Sequence, residues 1–367
     1  MDNDTAFARE RHVPLTRGFL ELLHPPDLSC YWMTMDSSVH NSLIQHPHSF
    51  TFSPQSLVKQ FDFPNLNFNY DTYDITAQFN SETNFWFTTD PQIQPGQIDL
   101  EFLVLHEFIH GLGFLSLWRD YFDRNILTPC PLTPASATKD MVGTEHFIFQ
   151  GFIESAFDRH ILDRTLGTNL SDYTRRMSAF SYGPGTTFKT LRIFLDEFLA
   201  SSQSRMARRL FRLATTPNAM AFQSEPGARS PAAAGKRLSL ETSIRQYRIG
   251  STITHFDYGS FTGTSDFLMR WLIDDGVSLH DAIARSNVDG LEHTGSEADG
   301  IGPGVLSVLE SLGYRTLLSG GVSIYKPKLP PLDHLTMTNA ARRVVGGMET
   351  WAWMVGVVMV WTVGWGW

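Results

Sequence analysis

A chain of 367 residues that is 42% hydrophobic and 18% charged can build a sizeable core, so it does not read as a disordered protein. Its formal net charge of −9 argues against nucleic acid as the main partner, because phosphate binding rests on clustered Lys and Arg. Its two cysteines, Cys30 and Cys130, stand in no metal-ligand spacing and can form one disulfide or none.

The first residues, "MDNDTAFARERHVPLTRGFLELLHPPDL", lack the uninterrupted apolar core of a clear export signal, and residues 1–49 read as an N-terminal extension. Residues 50–320 are expected to form the main domain, with an insertion over about 117–240. From 50 to 90 the chain is rich in Phe, Asn, Tyr and Thr. Within it "DITAQFN" (74–80) alternates apolar and polar residues as a half-buried strand does, and "NFWFTT" is a second strand-like piece. "DPQIQPGQ" breaks the chain, and a helix is predicted over 98–111. Prolines 129, 131 and 134 make 127–140 an irregular loop. Helical periodicity is read in 145–164 and again in 188–214, where Arg205, Arg208, Arg209 and Arg212 form the solvated side of an amphipathic helix. Residues 215–236 read as loop, and "YRIGSTITHFDYGSFTGTSDFLM" carries strand and turn signals. A short helix starts near Pro303 and is closed by Gly313. The tail over 321–367 ends in the uncharged stretch "WAWMVGVVMVWTVGWGW", just short of the roughly 18 to 20 apolar residues of a spanning helix. It reads as a buried or aberrant tail before a membrane anchor, and the sequence leaves location open.

The predicted helix over 98–111 carries "LVLHEFIHGLGF", which brings two histidines and a glutamate into an apolar run. His106 and His110 lie one helical turn apart, so their imidazoles leave the same face and can hold one ion together. With apolar residues around most of its circumference the helix is expected to be buried nearly all round, with Asp99, His106, Glu107 and His110 along one stripe. Burial makes unsatisfied polar groups costly, and a divalent metal satisfies them. Neutral imidazoles suit Zn²⁺, and three protein ligands leave a fourth position for a water whose pKa falls to about 7. Glu107 then stands beside the site as a general base, the arrangement that most often serves peptide-bond hydrolysis. The plainer alternative is a pair of satisfied core histidines.

"HEFIHGLGF" resembles the metzincin metallopeptidases, in particular the leishmanolysin-like branch, in which HExxHxxGF is followed by a long insertion before the third histidine. The short metzincin form is absent, because Ser116 stands where its third histidine would fall. In "THFDYGSFTGTSDFLM", His255 followed by Met269 matches the order of the branch's third histidine and methionine turn. The cysteine-rich framework of leishmanolysin is missing. The resemblance implies Zn²⁺ held by His106, His110 and His255, Glu107 as the base, Met269 as a structural floor, and a peptide or protein substrate. "IGPGVLSVLESLGY" also resembles the final helix of related secreted bacterial metallopeptidases. Glu154, on the helix predicted over 145–164, is the alternative third ligand. Asp257 is placed to orient a ligand, and Tyr258 is either an oxyanion donor or simply structural. His146, His160, His280 and His293 lack partner spacing.

The expected fold is therefore α+β and zincin-like, with a small N-terminal sheet, the active-site helix and a helical C-terminal lobe. The expected function is that of a zinc-dependent endopeptidase, with an extended substrate adding as a strand between sheet edge and helix. The alternatives are an inactive or structural zinc protein, or a membrane-tethered interaction protein held by its tail.

Overall fold

A computed structural model of the chain describes residues 43–46, 49–61, 73–75, 77, 79, 83–131, 138–139, 145–227, 234–286 and 300–316. In chain order the elements are β1 (Leu43–His46), β2 (Ser49–Phe52), α1 (Gln55–Val58), β3 (Phe85–Trp86), β4 (Ile98–Asp99) and α2 (Leu100–Gly111). There follow β5 (Cys130–Pro131), β6 (Thr138–Lys139), β7 (Glu145–Phe149), β8 (Phe152–Ser155), β9 (Ile161–Asp163), β10 (Thr168–Asn169) and α3 (Leu170–Ser178). The chain continues through β11 (Thr186–Phe188), α4 (Leu191–Ala200), α5 (Ser202–Ala214), β12 (Met220–Gln223), β13 (Arg237–Ser239), α6 (Tyr258–Phe261), α7 (Leu279–Ser286) and α8 (Pro303–Leu312). The fold is mixed and compatible with α+β: short strands make sheets ordered β1-β2-β8-β5, β10-β9-β12-β13 and β11-β7-β6, plus the parallel pair β3-β4.

Residues 145–164 are not helical. They form β7, a change of direction, β8, a 3-10 turn at Asp158–His160 and β9. Gly151 adopts a φ of 97° between β7 and β8, a left-handed conformation that ends any helix there. β7 then pairs with β11, and β8 with β2 and β5. Two consecutive strands with buried Phe149, Phe152 and Ile153 mimic a helical period when their aromatic residues are counted along one line. Residues 215–236 are also more than loop, since β12 crosses the centre of its sheet with Met220, Ala221 and Phe222 fully buried.

The predicted strand over 74–80 is not formed by its described residues Asp74, Ile75, Ala77 and Phe79. Asp74 instead pairs with Lys59 at 2.6 Å. Ile75 packs on the end of α2, where a Cβ at position 111 would fall 2.7 Å from its Cγ2, so Gly111 is needed for that approach. The helical reading of 188–214 holds as α4 and α5, divided at Ser201, whose hydroxyl caps α5. α5 turns Ala207, Leu210 and Ala214 inward, and its Arg209 reaches the buried carboxylate of Asp163 at 2.7 Å. The long segment between α2 and the second half of the chain packs around phenylalanines: Phe194 lies 5.2 Å from Phe149 and 5.9 Å from Phe198, ring centre to ring centre. That cluster is continuous with the core beneath α2 and α8.

α8 begins at Pro303 and ends at Gly313, whose φ of 118° is left-handed, as its sequence predicts. Its first turn is tied to the middle of the chain by Asp266, whose Oδ1 accepts from the Gly304 and Val305 amides at 2.7 and 3.1 Å. A Cβ at Gly302 would meet the Ser265 carbonyl oxygen at 2.3 Å, so this junction requires glycine. Cys130 is fully buried and disulfide-bonded, while Cys30 lies outside the described residues. No helix among the described residues is long and apolar enough to cross a membrane, and the tail over 321–367 lies outside them.

Candidate metal centre

Asp99 opens α2. Its Oδ1 accepts from the Glu101 and Phe102 amides at 2.9 and 3.4 Å, and its Oδ2 from the Leu279 amide at 2.8 Å. Asp99 is therefore the helix cap and a tie to the start of α7, not part of the histidine stripe. Phe102, His106, Ile109 and His110 form the buried face, an i, i+4, i+7, i+8 stripe. The helix is not buried all round, because Leu103, Val104 and Leu105 are half-buried and Phe108 is 46% exposed.

The helix ends in a Schellman turn. The Gly113 amide donates to the His110 carbonyl at 2.9 Å and the Phe114 amide to the Ile109 carbonyl at 3.3 Å, with Gly113 at φ 107°. This reversal brings the Phe114 carbonyl back onto the helix, where it accepts from His110 Nδ1 at 2.7 Å.

His255 arrives from a loop held on both sides. Its own carbonyl accepts from the Glu241 amide at 2.8 Å, and the Ile253 amide donates back to the Glu241 carbonyl at 2.8 Å. On the other side the Phe256 amide donates to the Met269 carbonyl at 2.8 Å. Met269 is fully buried and closes a 3-10 turn, Phe267–Met269, whose Leu268 carbonyl accepts from His106 Nδ1 at 2.7 Å. One turn thus fixes both the loop that carries His255 and the ring of His106.

The three imidazoles meet. Their Nε2 atoms lie 3.1 Å (His106 and His110), 3.2 Å (His106 and His255) and 3.0 Å (His110 and His255) apart, all three residues being buried. His255 Nδ1 faces the Ser251 carbonyl and the Thr254 hydroxyl, each at 3.1 Å. A carbonyl only accepts, so each Nδ1 carries a proton and each neutral ring presents a lone pair at Nε2. Three lone pairs converging without a donor among them repel one another, and a cation relieves that. Three nitrogens about 2.0–2.1 Å from one tetrahedral ion stand about 3.3–3.4 Å apart, close to the spacings seen here. The donor set could hold a divalent metal ion. Burial keeps the rings neutral: it lowers His106 to about 4 and His110 to about 3, and His255 is also held well below the usual value, with the neighbouring imidazoles adding to the shifts of His110 and His255.

Glu107 is half-buried on α2 next to His106, and burial raises its carboxyl to about 7. No described side chain or amide hydrogen-bonds to it. The structure places the other sequence candidates elsewhere. Glu154 lies on β8, not on a helix, and accepts from Ser171 Oγ at 2.8 Å and Thr174 Oγ1 at 2.6 Å, outside the three-histidine cluster. Asp257 orients no histidine; it caps α6 by accepting from the Ser260 amide at 2.8 Å and also meets Ser243 Oγ at 3.0 Å. The Tyr258 hydroxyl donates to Asp274 at 2.7 Å, a structural use of that group. His160 stacks on Phe222, His280 is exposed, and His293 lies outside the described residues. The carbonyls of Phe114, Ser251 and Leu268 were not legible in the sequence, because every residue has a carbonyl and only the fold says where it points. Arg270 was also missed; it is buried beside the methionine turn, donates to the Phe267 carbonyl at 3.1 Å and Thr262 at 2.9 Å, and lies over the Tyr258 ring.

The fold and site define an α+β protein with a buried three-histidine cluster built from one helix and one distant loop. A family profile described as SPBPB7E8-like matches residues 38–342, and the chain belongs to that family. It is 24% identical over 284 residues to the "Uncharacterized protein PB7E8.01" of Schizosaccharomyces pombe. That match covers 74% of this chain and 48% of the relative, so the chain spans about half the relative's length. No solved structure matches.

Proposed function

We propose that the protein is a zinc-dependent endopeptidase of zincin-like fold, with His106, His110 and His255 as the metal ligands and Glu107 as the general base. The observation that carries this reading is the meeting of three Nε2 lone pairs, 3.0–3.2 Å apart, with a glutamate next in sequence to the first of them. A zinc ion there supplies Lewis acidity at the coordination position that three protein ligands leave open. The chain's own groups do the rest. The carbonyls of Leu268, Phe114 and Ser251 hold the imidazoles in one tautomer and one orientation. Glu107 accepts the proton of the attacking water at a carboxylate oxygen and returns it to the leaving amine. A purely structural zinc site has no use for that carboxylate, and its half-buried position without a hydrogen-bond partner among the described residues favours the catalytic reading. The substrate is a peptide or protein.

The test is metal analysis of the purified full chain together with cleavage of an unstructured protein. Wild type should bind one zinc per chain and cleave. Glu107→Ala should keep the metal and lose activity by about 10²- to 10⁴-fold. His255→Ala should weaken metal binding and lose activity with it. Full activity in Glu107→Ala refutes the mechanism, and a metal-loaded wild type that cleaves nothing leaves the structural zinc reading in its place.

A further inference from the structure

Asn169-Leu170-Ser171 is an Asn-X-Ser sequence whose middle residue is not proline, the acceptor pattern for N-linked sugar. Among the described asparagines, 84, 125, 169 and 218, only Asn169 stands in it. Its position suits a bulky polar modification. Asn169 is exposed on β10, the edge strand of its sheet. It also occupies the N-cap position of α3, where asparagine ordinarily accepts from a helix amide, yet its side chain makes no capping bond. Among the described residues the carboxamide has no hydrogen-bond partner. Beside it, on the turn joining β9 to β10, Leu166 is 65% exposed. A glycan at this edge would screen that residue and block strand-to-strand association.

We propose that Asn169 is the acceptor of an N-linked glycan. The new bond joins Asn169 Nδ2 to the anomeric carbon of an oligosaccharide carried on a lipid pyrophosphate. The carbon–oxygen bond to the pyrophosphate breaks, and Nδ2 gives up one proton. In the folded chain Ser171 Oγ donates to Glu154 at 2.8 Å, so the transfer belongs to the nascent chain, before that bond forms.

The full chain, directed by a cleavable export signal into a eukaryotic secretory pathway, tests this by peptide mapping after enzymatic deglycosylation, which turns a glycosylated asparagine into aspartate. Conversion at position 169 is expected in wild type and in Ser171→Thr, and none in Ser171→Ala. Unmodified Asn169 in exported wild type overturns the proposal, as does conversion that persists in Ser171→Ala. Because wild type itself is read, a poorly folding variant does not decide the outcome.

Discussion

Each of the three imidazoles donates its Nδ1 proton to a main-chain carbonyl, and burial favours the same neutral state that a metal requires. The consequence for stability has a definite sign. In the unfolded chain these histidines take up protons near pH 6.5, whereas in the fold His106 does so only at about 4 and His110 at about 3. Between those values the unfolded state binds more protons, so stability is present above about pH 6.5 and is lost as pH falls towards 4. For His106 alone the difference is on the order of 3 kcal/mol. Burial raises Glu107 and Asp158 to about 7, and these carboxyls act with the opposite sign over the same interval, so the histidines are tested site by site. An NMR titration of metal-free protein should find His106 still neutral at pH 5, and protonation near pH 6.5 contradicts the neutral, converging arrangement.

Helix α2 shows how one local motif serves both folding and site. Its end was legible, since two glycines follow His110, whereas its start was read at 98 with Asp99 in the stripe, and only the fold shows Asp99 as the cap. The purpose of the second glycine emerges only from the turn: Gly113 at φ 107° returns the Phe114 carbonyl to His110. Gly113→Ala should therefore destabilise the protein by about 1–2 kcal/mol, the cost of a left-handed alanine, and weaken zinc binding by about 10- to 100-fold through the lost orientation of His110. Chemical denaturation and competition with a chelator measure the two effects separately. Destabilisation with unchanged metal affinity would make the turn merely structural. Other elements were less legible. The strands β7 and β8 present Phe149, Phe152 and Ile153 in a short apolar run, and such a run does not distinguish strand from helix until its pairing partners are known. With the helix goes Glu154, whose partners Ser171 and Thr174 lie on the following α3.

Over the whole molecule, the proposed metal would join α2 to a loop 145 residues further along, with the phenylalanine-rich segment between them. A ligand that binds only the folded state stabilises it by mass action, by about 4 kcal/mol at a free concentration 1,000 times its dissociation constant. Added zinc should accordingly raise the melting temperature of wild type and of Glu107→Ala, and leave that of His255→Ala close to its metal-free value. An equal rise in all three would place the ion elsewhere.

What the sequence by itself determined lies within about two helical turns of His106: the pair of histidines on one face, the glutamate beside them and the glycines after. These follow from a 3.6-residue period and from backbone preferences that act over a few residues. His255 and Met269 were legible only as a resemblance of order and spacing, and the fold brings His255 Nε2 to 3.0 Å from His110 Nε2. The tertiary structure alone decided which carbonyls lock the rings, and that Asp99, Glu154, Asp257 and Tyr258 are spent on caps and buried hydrogen bonds. The reason is physical: a side chain's chemistry is written in its residue type, whereas its partner across the fold is set by packing between segments far apart in the chain.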